Sequence, residues 1–309
     1  GFVLMFILIF EQLVKMFFIM LLAILCYKIK LVNQEGNKTV SNLLLLVVNP
    51  FVIITTYQTD YRPELVRGLL ISFGAAVLCH VIGILVTTLL NRPKGSPDAN
   101  IERYNAMYSN CGFIGIPLIN SVLGSSGVFF LSAYIVVFNL FSWTHGVVLM
   151  EKKFSWKNVR KGLLSPMVVA TVIAVLLFFS RLRFPEVVLD SMNYVADMNT
   201  PLAMMVAGFS VAQTDILKMC TKLRVYFSCF LKLVLIPVIM IFILKVIPLP
   251  RDVAMTTLIA SACPAATTGT MMAIRYKQNY TYSSEMFALS TILAVATIPL
   301  IVLLAETVL

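Results

Sequence analysis

Charged residues are scarce in this 309-residue chain. Asp, Glu, Lys and Arg make up 12% of it, whereas hydrophobic residues make up 60%. In soluble domains about 25% of residues are charged. Residues 104–150 contain no Asp, Glu, Lys or Arg at all, and this run is long enough for two membrane spans of about 20 residues each. The composition therefore indicates an all-α, polytopic membrane protein and excludes a soluble globular fold.

Residues and motifs that hold metals, nucleotides or acyl groups are also few. The chain has six scattered cysteines, no CxxC pair and only two histidines, His80 and His145, so neither a zinc site nor a disulfide framework is expected. Both histidines are expected to be packed imidazoles rather than proton relays. No phosphate-binding glycine loop, HExxH or GxSxG motif occurs. We therefore expect no enzyme activity, no catalytic residue, no cofactor and no metal.

The formal net charge is +10, which by itself is compatible with a nucleic-acid partner. The basic residues lie in short loops between apolar runs rather than on one soluble face. Cytoplasmic loops of a membrane protein carry such an excess of Lys and Arg. We therefore expect the lipid bilayer as a partner and no nucleic acid.

Apolar runs of span length follow one another along the chain, and we predict ten spans. The longest hydrophilic segment, 151–162, divides them into five and five. Residues 1–150 are the predicted first five-helix repeat, 151–162 a cytoplasmic linker, and 163–309 the second repeat. Gly124-Ser125-Ser126-Gly127 predicts the hairpin between spans 4 and 5. The predicted spans are residues 2–27, 40–57, 66–90, 104–123, 127–150, 163–180, 188–212, 225–247, 253–274 and 284–306.

Two of these spans carry helix breakers near their centres. Span 4 contains Asn110-Cys-Gly-Phe-Ile-Gly-Ile-Pro117, and span 9 contains Ala262-Cys-Pro-Ala-Ala-Thr-Thr-Gly-Thr270. A proline inside a helix removes one N–H and frees the carbonyl four residues earlier, which lipid cannot satisfy. The two prolines, Pro117 and Pro264, lie 147 residues apart. Matched breaks, one in each half, are a sequence pointer to the binding site of a transporter.

The two halves share a second landmark. Asn49-Pro50 in span 2 corresponds to Asn199-Thr200-Pro201 in span 7, with the prolines 151 residues apart. Because each half holds an odd number of spans, a repeat would insert the second half upside down. The loops after spans 1, 3, 5, 7 and 9 hold 16 Lys and Arg residues, against 6 in the other loops. These loops are predicted to be cytoplasmic, with both termini outside.

The run from Asn110 to Pro117, closed by Leu118, resembles the span-4 signature of the auxin efflux carrier family. This family includes the plant PIN-type auxin transporters and bacterial relatives assigned to malate or malonate transport. Residues 262–276 resemble its span-9 counterpart, and residues 197–208 are more loosely similar to its span 7. The chain is identified as a bacterial relative of the PIN-type transporters. It lacks the long cytoplasmic loop of many plant members and has Ala-Ala-Thr-Thr after Pro264, so auxin is not the expected substrate.

The resemblance implies a five-plus-five inverted repeat whose spans 4 and 9 are broken and cross at their breaks. Spans 1, 2, 6 and 7 would form a scaffold, and spans 3–5 and 8–10 a moving transport domain. It also implies a small organic anion as substrate and a location in the cytoplasmic membrane. The oligomeric state stays open, with a homodimer as one alternative.

The chemistry at the breaks suits a carboxylate independently of the resemblance. Half-helices that begin inside the membrane present free N–H groups and partial positive charge. Threonine hydroxyls add donors, and glycines at 112, 115 and 269 would let the helices cross closely. Simple kinks, and hydroxyls bonded to their own helix, are the alternative interpretation. The predicted substrate-binding residues are Asn110, Gly112, Gly115, Pro117, Pro264, Thr267, Thr268, Asn49 and Thr200.

Four of the charged residues inside predicted spans lie well away from the span ends. Asp197, two residues before Asn199, is the candidate for a proton-coupling carboxylate. Glu11 and Lys15, four residues apart, are expected to neutralise each other. Lys232 is expected to extend its ammonium to the membrane edge.

We therefore predict a secondary transporter or uniporter that moves a small carboxylate anion by alternating access. Coupling to protons, to sodium or only to the anion gradient stays open. No carboxylate cluster resembles a sodium site, which favours protons or uniport. The alternative from another class is a membrane sensor or receptor that binds such an anion without translocating it. No soluble signalling domain is evident in the sequence, which favours transport.

Overall fold

The computed structural model describes residues 2–91 and 96–309, and these fold into helices joined by short turns. Arg92 and Lys94, which contribute to the predicted cytoplasmic charge, lie outside the described residues. The helices are α1 (Phe2–Lys28), α2 (Gln34–Thr56), α3 (Pro63–Leu90), α4 (Ala99–Met107), α5 (Cys111–Glu151), α6 (Trp156–Leu163), α7 (Pro166–Ser180), α8 (Glu186–Ala212), α9 (Ile216–Cys220), α10 (Leu223–Val246), α11 (Arg251–Ala262), α12 (Thr268–Arg275) and α13 (Tyr280–Val308).

Seven of the described helices are long and apolar enough to cross a membrane, namely α1, α2, α3, α5, α8, α10 and α13. The pair α6 and α7, bent by 52° at a short break, makes an eighth if it counts as one span. The prediction of an all-helical polytopic membrane protein is confirmed. The number of ten spans and the inverted repeat remain predictions. The segment 151–162, predicted as a linker, contains most of helix α6.

Helix α5 is 41 residues long, which corresponds to about 60 Å at 1.5 Å per residue. This is about twice the thickness of the hydrocarbon core. The chain bends inside α5 at Gly124, which has φ +65° and ψ −160°. Glycine adopts this positive φ without a Cβ clash. The predicted four-residue hairpin is therefore wrong in length, because Ser125–Gly127 already belong to the helix after the bend.

Three helices contain a wide π turn directly before a proline. A proline ring clashes with the carbonyl four residues earlier and offers no N–H to it, and a π turn opens the helix at that point. The helices therefore continue through these prolines without interruption. The three turns with the prolines that follow are Leu44–Val48 with Pro50, Cys111–Gly115 with Pro117, and Leu231–Leu235 with Pro237.

The helix contacts place the short segments between α4 and α5 and between α11 and α12 in the interior. Helix α1 packs on α8 and α13, and α2 packs on α7 and α8. Helix α3 packs on α5 and α11, while α10 and α12 pack on α13. Large apolar side chains such as Phe18, Leu25 and Leu176 point away from these contacts and are 66%, 56% and 64% exposed. They form the surface that lipid would cover.

Helices α1 and α8 approach each other closely at Gly208. A Cβ added there would lie 2.5 Å from the Met20 carbonyl oxygen and 2.7 Å from the Ala23 Cβ. Backbone atoms cannot move aside as a flexible side chain can. Small residues let membrane helices come this close, so Gly208 sets the spacing between α1 and α8.

We predict that Gly208→Ala lowers the free energy of unfolding by about 1–3 kcal/mol, as overpacking does in a well-packed core. Thermal unfolding in detergent measures the effect. Gly74→Ala on α3 is the matched control, because no atom lies within 4 Å of a Cβ added at Gly74. The control is expected to leave the unfolding midpoint unchanged or slightly raised. Equal midpoints for both variants would contradict the close contact of α1 with α8.

Candidate binding site

Two helical stretches are interrupted in the interior of the protein. Residues 108–110 separate α4 from α5, and residues 263–267 separate α11 from α12. All of these residues are buried except Thr267, which is half-buried. Each interruption leaves helix-end N–H and C=O groups without partners in their own helix.

The two interruptions pair with each other. The Asn110 N–H donates to the Pro264 carbonyl at 2.8 Å, and the Ala266 N–H donates to the Tyr108 carbonyl at 3.0 Å. Ser109 thereby lies opposite Ala265 in an isolated antiparallel bridge. We call residues 108–110 and 264–266 the helix crossing. Peptide groups that lipid cannot satisfy are thus satisfied within the protein.

The first break lies closer to the N-terminus than the prolines suggest. Pro264 lies inside the crossing, whereas Pro117 lies in α5, after the π turn. The Asn110 carbonyl accepts from the N–H groups of Ile114 and Gly115, both at 3.1 Å. The Gly115 N–H is therefore already bonded within the helix, and the substrate-binding role of Gly115 remains a prediction.

Three buried asparagines lie near the crossing. The Asn199 amide donates to Asn49 Oδ1 at 2.7 Å, which links α8 to α2. Asn49 and Asn110 are only 1% and 4% exposed. Among the described residues, the Nδ2 groups of both have no hydrogen-bond acceptor. A buried polar group without a partner is costly, so these two amides are candidate donors to a ligand.

The predicted glycines differ in how closely they are packed. A Cβ added at Gly269 would lie 2.6 Å from Asn105 Oδ1, so α12 needs glycine there to approach α4. At Gly115 the nearest atom would be 3.5 Å away, and at Gly112 it would be Asn49 Nδ2 at 4.0 Å. Close crossing therefore explains Gly269 and not the other two. The position of Gly112 shows that the Asn49 amide faces the start of α5.

The threonines of the second break make hydrogen bonds that hold α12 in place. Thr268 Oγ1 accepts from the Tyr104 hydroxyl at 3.2 Å, and the Thr270 hydroxyl lies 3.3 Å from that of Ser284. Thr267 caps the start of α12, and its carbonyl accepts from the Met271 N–H. These bonds tie α12 to α4 and to α13.

A cavity of about 240 Å³ lies beside the crossing, between α2, α5 and α8. Two of the predicted residues, Asp197 and Thr200, line it together with Asn199. Asn110 and Pro264 are not among its lining residues, but Ile116 in the second turn of α5 is. Its polar lining, which includes the Asn199 that bonds Asn49, suits a small polar ligand. The other lining residues are Val52, Thr55, Thr56, Asn120, Ser125, Asn193 and Ala196.

Arginine–carboxylate pairs hold the outer parts of two half-helices. Glu102 of α4 accepts from Arg224 Nη2 at 2.6 Å and from Arg224 Nε at 2.8 Å. Arg251, the first residue of α11, bonds both carboxylate oxygens of Glu306 at 2.6 and 2.7 Å. Each pair includes a nearly buried carboxylate. The Arg224 pair uses two nitrogens and two oxygens, which is the geometrically specific bidentate form of this contact, whereas Arg251 contacts both oxygens through Nη2 alone.

Lys232 is a site residue whose burial the sequence pattern did not predict. Its side chain does not reach the membrane edge, and the residue is 1% exposed. Its ammonium donates to Ser109 Oγ at 2.5 Å and to the Ser261 carbonyl at 2.7 Å. One sequence feature could have indicated this burial: Lys232 is the only charged residue between 225 and 244.

The other ionisable residues in spans lie away from the crossing or serve its packing. His80 is buried among aromatic rings and bonds a carbonyl one turn earlier in α3. His145 Nδ1 lies 3.1 Å from the Tyr108 hydroxyl. Glu11 and Lys15 are exposed, and the described residues show no ion pair between them, so the expected neutralisation is not seen.

Comparison with known protein families supports a membrane transport role. Residues 8–158 and 153–302 each match the family described as "Membrane transport protein". Together the two matched segments cover almost the whole chain, and they meet at the segment between the predicted halves. No curated protein matches the chain.

We predict that the bond between Asn49 and Asn199 couples α2 to α8. Asn49→Ala, Asn199→Ala and the double variant form a double-mutant cycle, with thermal unfolding in detergent as the measurement. The expected coupling free energy is about 0.6–1.7 kcal/mol, the range of hydrogen bonds between membrane helices. Strictly additive losses would show that the two amides do not interact.

Proposed function

We propose that this chain, which belongs to the membrane transport protein family of auxin efflux carrier-like proteins, moves a small carboxylate anion across the cytoplasmic membrane. The proposal covers a secondary active transporter and a uniporter. The observation that carries it is the helix crossing, which has two buried amide donors near it without acceptors among the described residues, and a polar cavity on its α2 and α8 side. Half-helix ends at such a crossing are where secondary transporters bind their substrates.

The carboxylate would be held by neutral donors rather than by an ion pair. Helix α5 begins at the crossing, so its first N–H groups and its partial positive charge are directed toward this point. Asn110 and Asn49 each add a buried N–H₂ group, and Gly112 leaves open the space between α2 and α5. Helix N-termini bind anions in this way without a lysine or arginine.

The ten-span arrangement is part of the proposal, and the helix lengths support it. The seven long helices become eight when α5 is divided at Gly124. The bent pair α6–α7 adds a ninth span, and α11 with α12 adds a tenth. In this arrangement α4 joins the first part of α5 as span 4. The resulting ten spans agree with five spans in each half of an inverted repeat.

Alternating access would arise from movement between two helix groups. The proposed scaffold is α1, α2, α7 and α8, and its members pack on one another. The proposed transport domain contains α3, α4, α5 and α10–α13, which include both interrupted stretches. The cavity lies where α5 of the second group meets α2 and α8 of the first. Sliding or rocking of α5 against α2 and α8 would therefore open and close the cavity.

The excess of Lys and Arg in alternate loops orients the proposed carrier. The counts of 16 and 6 support an arrangement with both termini outside. The cavity would then lie toward the outer side, since it includes Thr55 and Thr56 at the end of α2 and Ser125 just after the Gly124 bend. This conformation would be the outward-facing one.

We predict that Asn110→Ala reduces uptake of labelled malonate or malate into proteoliposomes by about 10-fold or more. A hydrogen bond to a charged group is worth about 1.5–3 kcal/mol, and each 1.4 kcal/mol corresponds to about a tenfold change in affinity. Asn139→Ala is the matched control. Asn139 lies in the same helix, and its amide bonds the carbonyl of Ile135.

Full uptake by the Asn110→Ala variant would remove this residue from the site. Binding of the acids by the wild type, seen as a raised unfolding midpoint, without any uptake would favour the sensor or receptor alternative. A wild type that neither binds nor moves small carboxylates would remove the proposed substrate class.

Asp197 is the proposed proton-coupling residue, because it is a carboxylate-bearing residue that lines the cavity together with Thr200. We predict that a pH gradient across the liposome membrane stimulates wild-type uptake and that Asp197→Asn uptake does not respond to the gradient. Asp190→Asn, an exposed position on the same helix, is the control and should keep the response. A response retained by Asp197→Asn, or absent from the wild type, would exclude the coupling role.

A further inference from the structure

Lys232 forms a closed polar cluster at the back of the helix crossing. Its ammonium donates to Ser109 Oγ and to the Ser261 carbonyl, and Ser109 Oγ also lies 3.3 Å from that carbonyl. All three residues are 1% exposed. Ser109 is the residue of the first break that pairs with Ala265, so the ammonium touches the crossing itself.

The Ser261 carbonyl is one that the broken helix leaves without its usual donor. In a continuous helix it would accept from the N–H of Ala265, four residues later. That N–H instead donates to Ser290 Oγ at 3.0 Å. Lys232 therefore replaces the missing donor at the C-terminal end of α11, where the helix dipole places partial negative charge.

No carboxylate balances the lysine. Among residues 2–91 and 96–309, every ion pair within 4.0 Å involves other residues, and Lys232 contacts a hydroxyl and a carbonyl instead. Neutral oxygens at an unwound helix end are the ligands that secondary transporters offer to a coupling cation. The hydroxyl and the carbonyl that hold the ammonium are oxygen ligands, the type that hard cations prefer.

The cluster lies on the side of the crossing away from the cavity. The turn Leu231–Leu235, which carries Lys232, packs against α4, α11 and α13. The cavity is lined by α2, α5 and α8. The ammonium thus does not line the cavity and does not compete with a ligand there.

We propose that Lys232 is a built-in cation: its ammonium occupies the position in which a carrier of this type would bind a coupling Na⁺. The protein consequently needs no Na⁺ to complete its crossing. Removing the side chain leaves the Ser109 hydroxyl and the Ser261 carbonyl facing a space that Na⁺ can enter. The inference has a binding part, namely that Na⁺ enters the space left when the Lys232 side chain is removed, and a flux part, namely that Na⁺ then restores transport. Only the flux part rests on the proposed transport function.

Thermal unfolding in detergent, compared in NaCl and in choline chloride at equal ionic strength, tests the binding part. The wild type is expected to unfold at the same temperature in both salts. Lys232→Ala is expected to unfold earlier in choline and to gain about 2 °C or more in Na⁺, because a ligand bound only by the native state raises the midpoint. Lys232→Arg, which keeps the charge, and Lys245→Ala, at the exposed end of the same helix, should show no Na⁺ effect.

Uptake of labelled malonate in the same two salts tests the flux part. Equal wild-type uptake in both salts is expected, together with a loss of at least tenfold in Lys232→Ala that Na⁺ reverses. A wild type that Na⁺ stabilises or stimulates would overturn the inference, as would full uptake by Lys232→Ala in choline. A folded Lys232→Ala that Na⁺ neither stabilises nor reactivates would do the same.

Two further outcomes can be distinguished from a failure of the inference. If Lys232→Ala does not fold in either salt, the same comparison is made with Lys232→Gln, which retains a donor for Ser261. If the wild type takes up no carboxylate in either salt, the proposed function fails while the unfolding comparison still decides the role of Lys232.

Discussion

The structure depends on a backbone exchange between two interrupted helices. Asn110 donates to Pro264, and Ala266 donates to Tyr108. In hydrocarbon, an unsatisfied peptide group costs several kcal/mol, so neither interruption would be stable at this depth alone. Each break supplies the hydrogen-bond partners that the other lacks, and polar backbone is thereby tolerated at the centre of an apolar protein.

The polar groups on the two sides of the crossing differ in how completely they have hydrogen-bond partners. On the side of α10 and α13, Lys232 and Ser290 complete the broken end of α11, and arginine–carboxylate pairs hold the outer parts of α4 and α11. On the side of α2 and α8, the amides of Asn49 and Asn110 have no acceptor within the described part of the chain. The cavity adjoins this second side. The first side therefore provides rigidity, and the second provides a place where a ligand can complete the hydrogen bonding.

Much of this arrangement follows from residue spacing. Matched prolines indicated two breaks. Asn49-Pro50 and Asn199-Thr200-Pro201, whose prolines are 151 residues apart, indicated related positions, and the structure joins the two asparagines by a direct bond. Spacing along the chain does not show which helices a residue faces. Pro117 was expected at a break, but a π turn accommodates its ring. Lys232 was expected at the membrane edge, but the rotation of α10 directs it to the crossing, and only the packed neighbours determine that rotation.

The most direct measurement is an experimental structure of the protein in lipid nanodiscs with malonate bound. We predict density for a carboxylate within hydrogen-bonding distance of the Asn110 amide, at the start of α5 and next to Asn49. The two breaks should be paired as Asn110 to Pro264 and Tyr108 to Ala266. Malonate bound elsewhere, or uninterrupted helices through residues 108–110 and 263–267, would contradict the account.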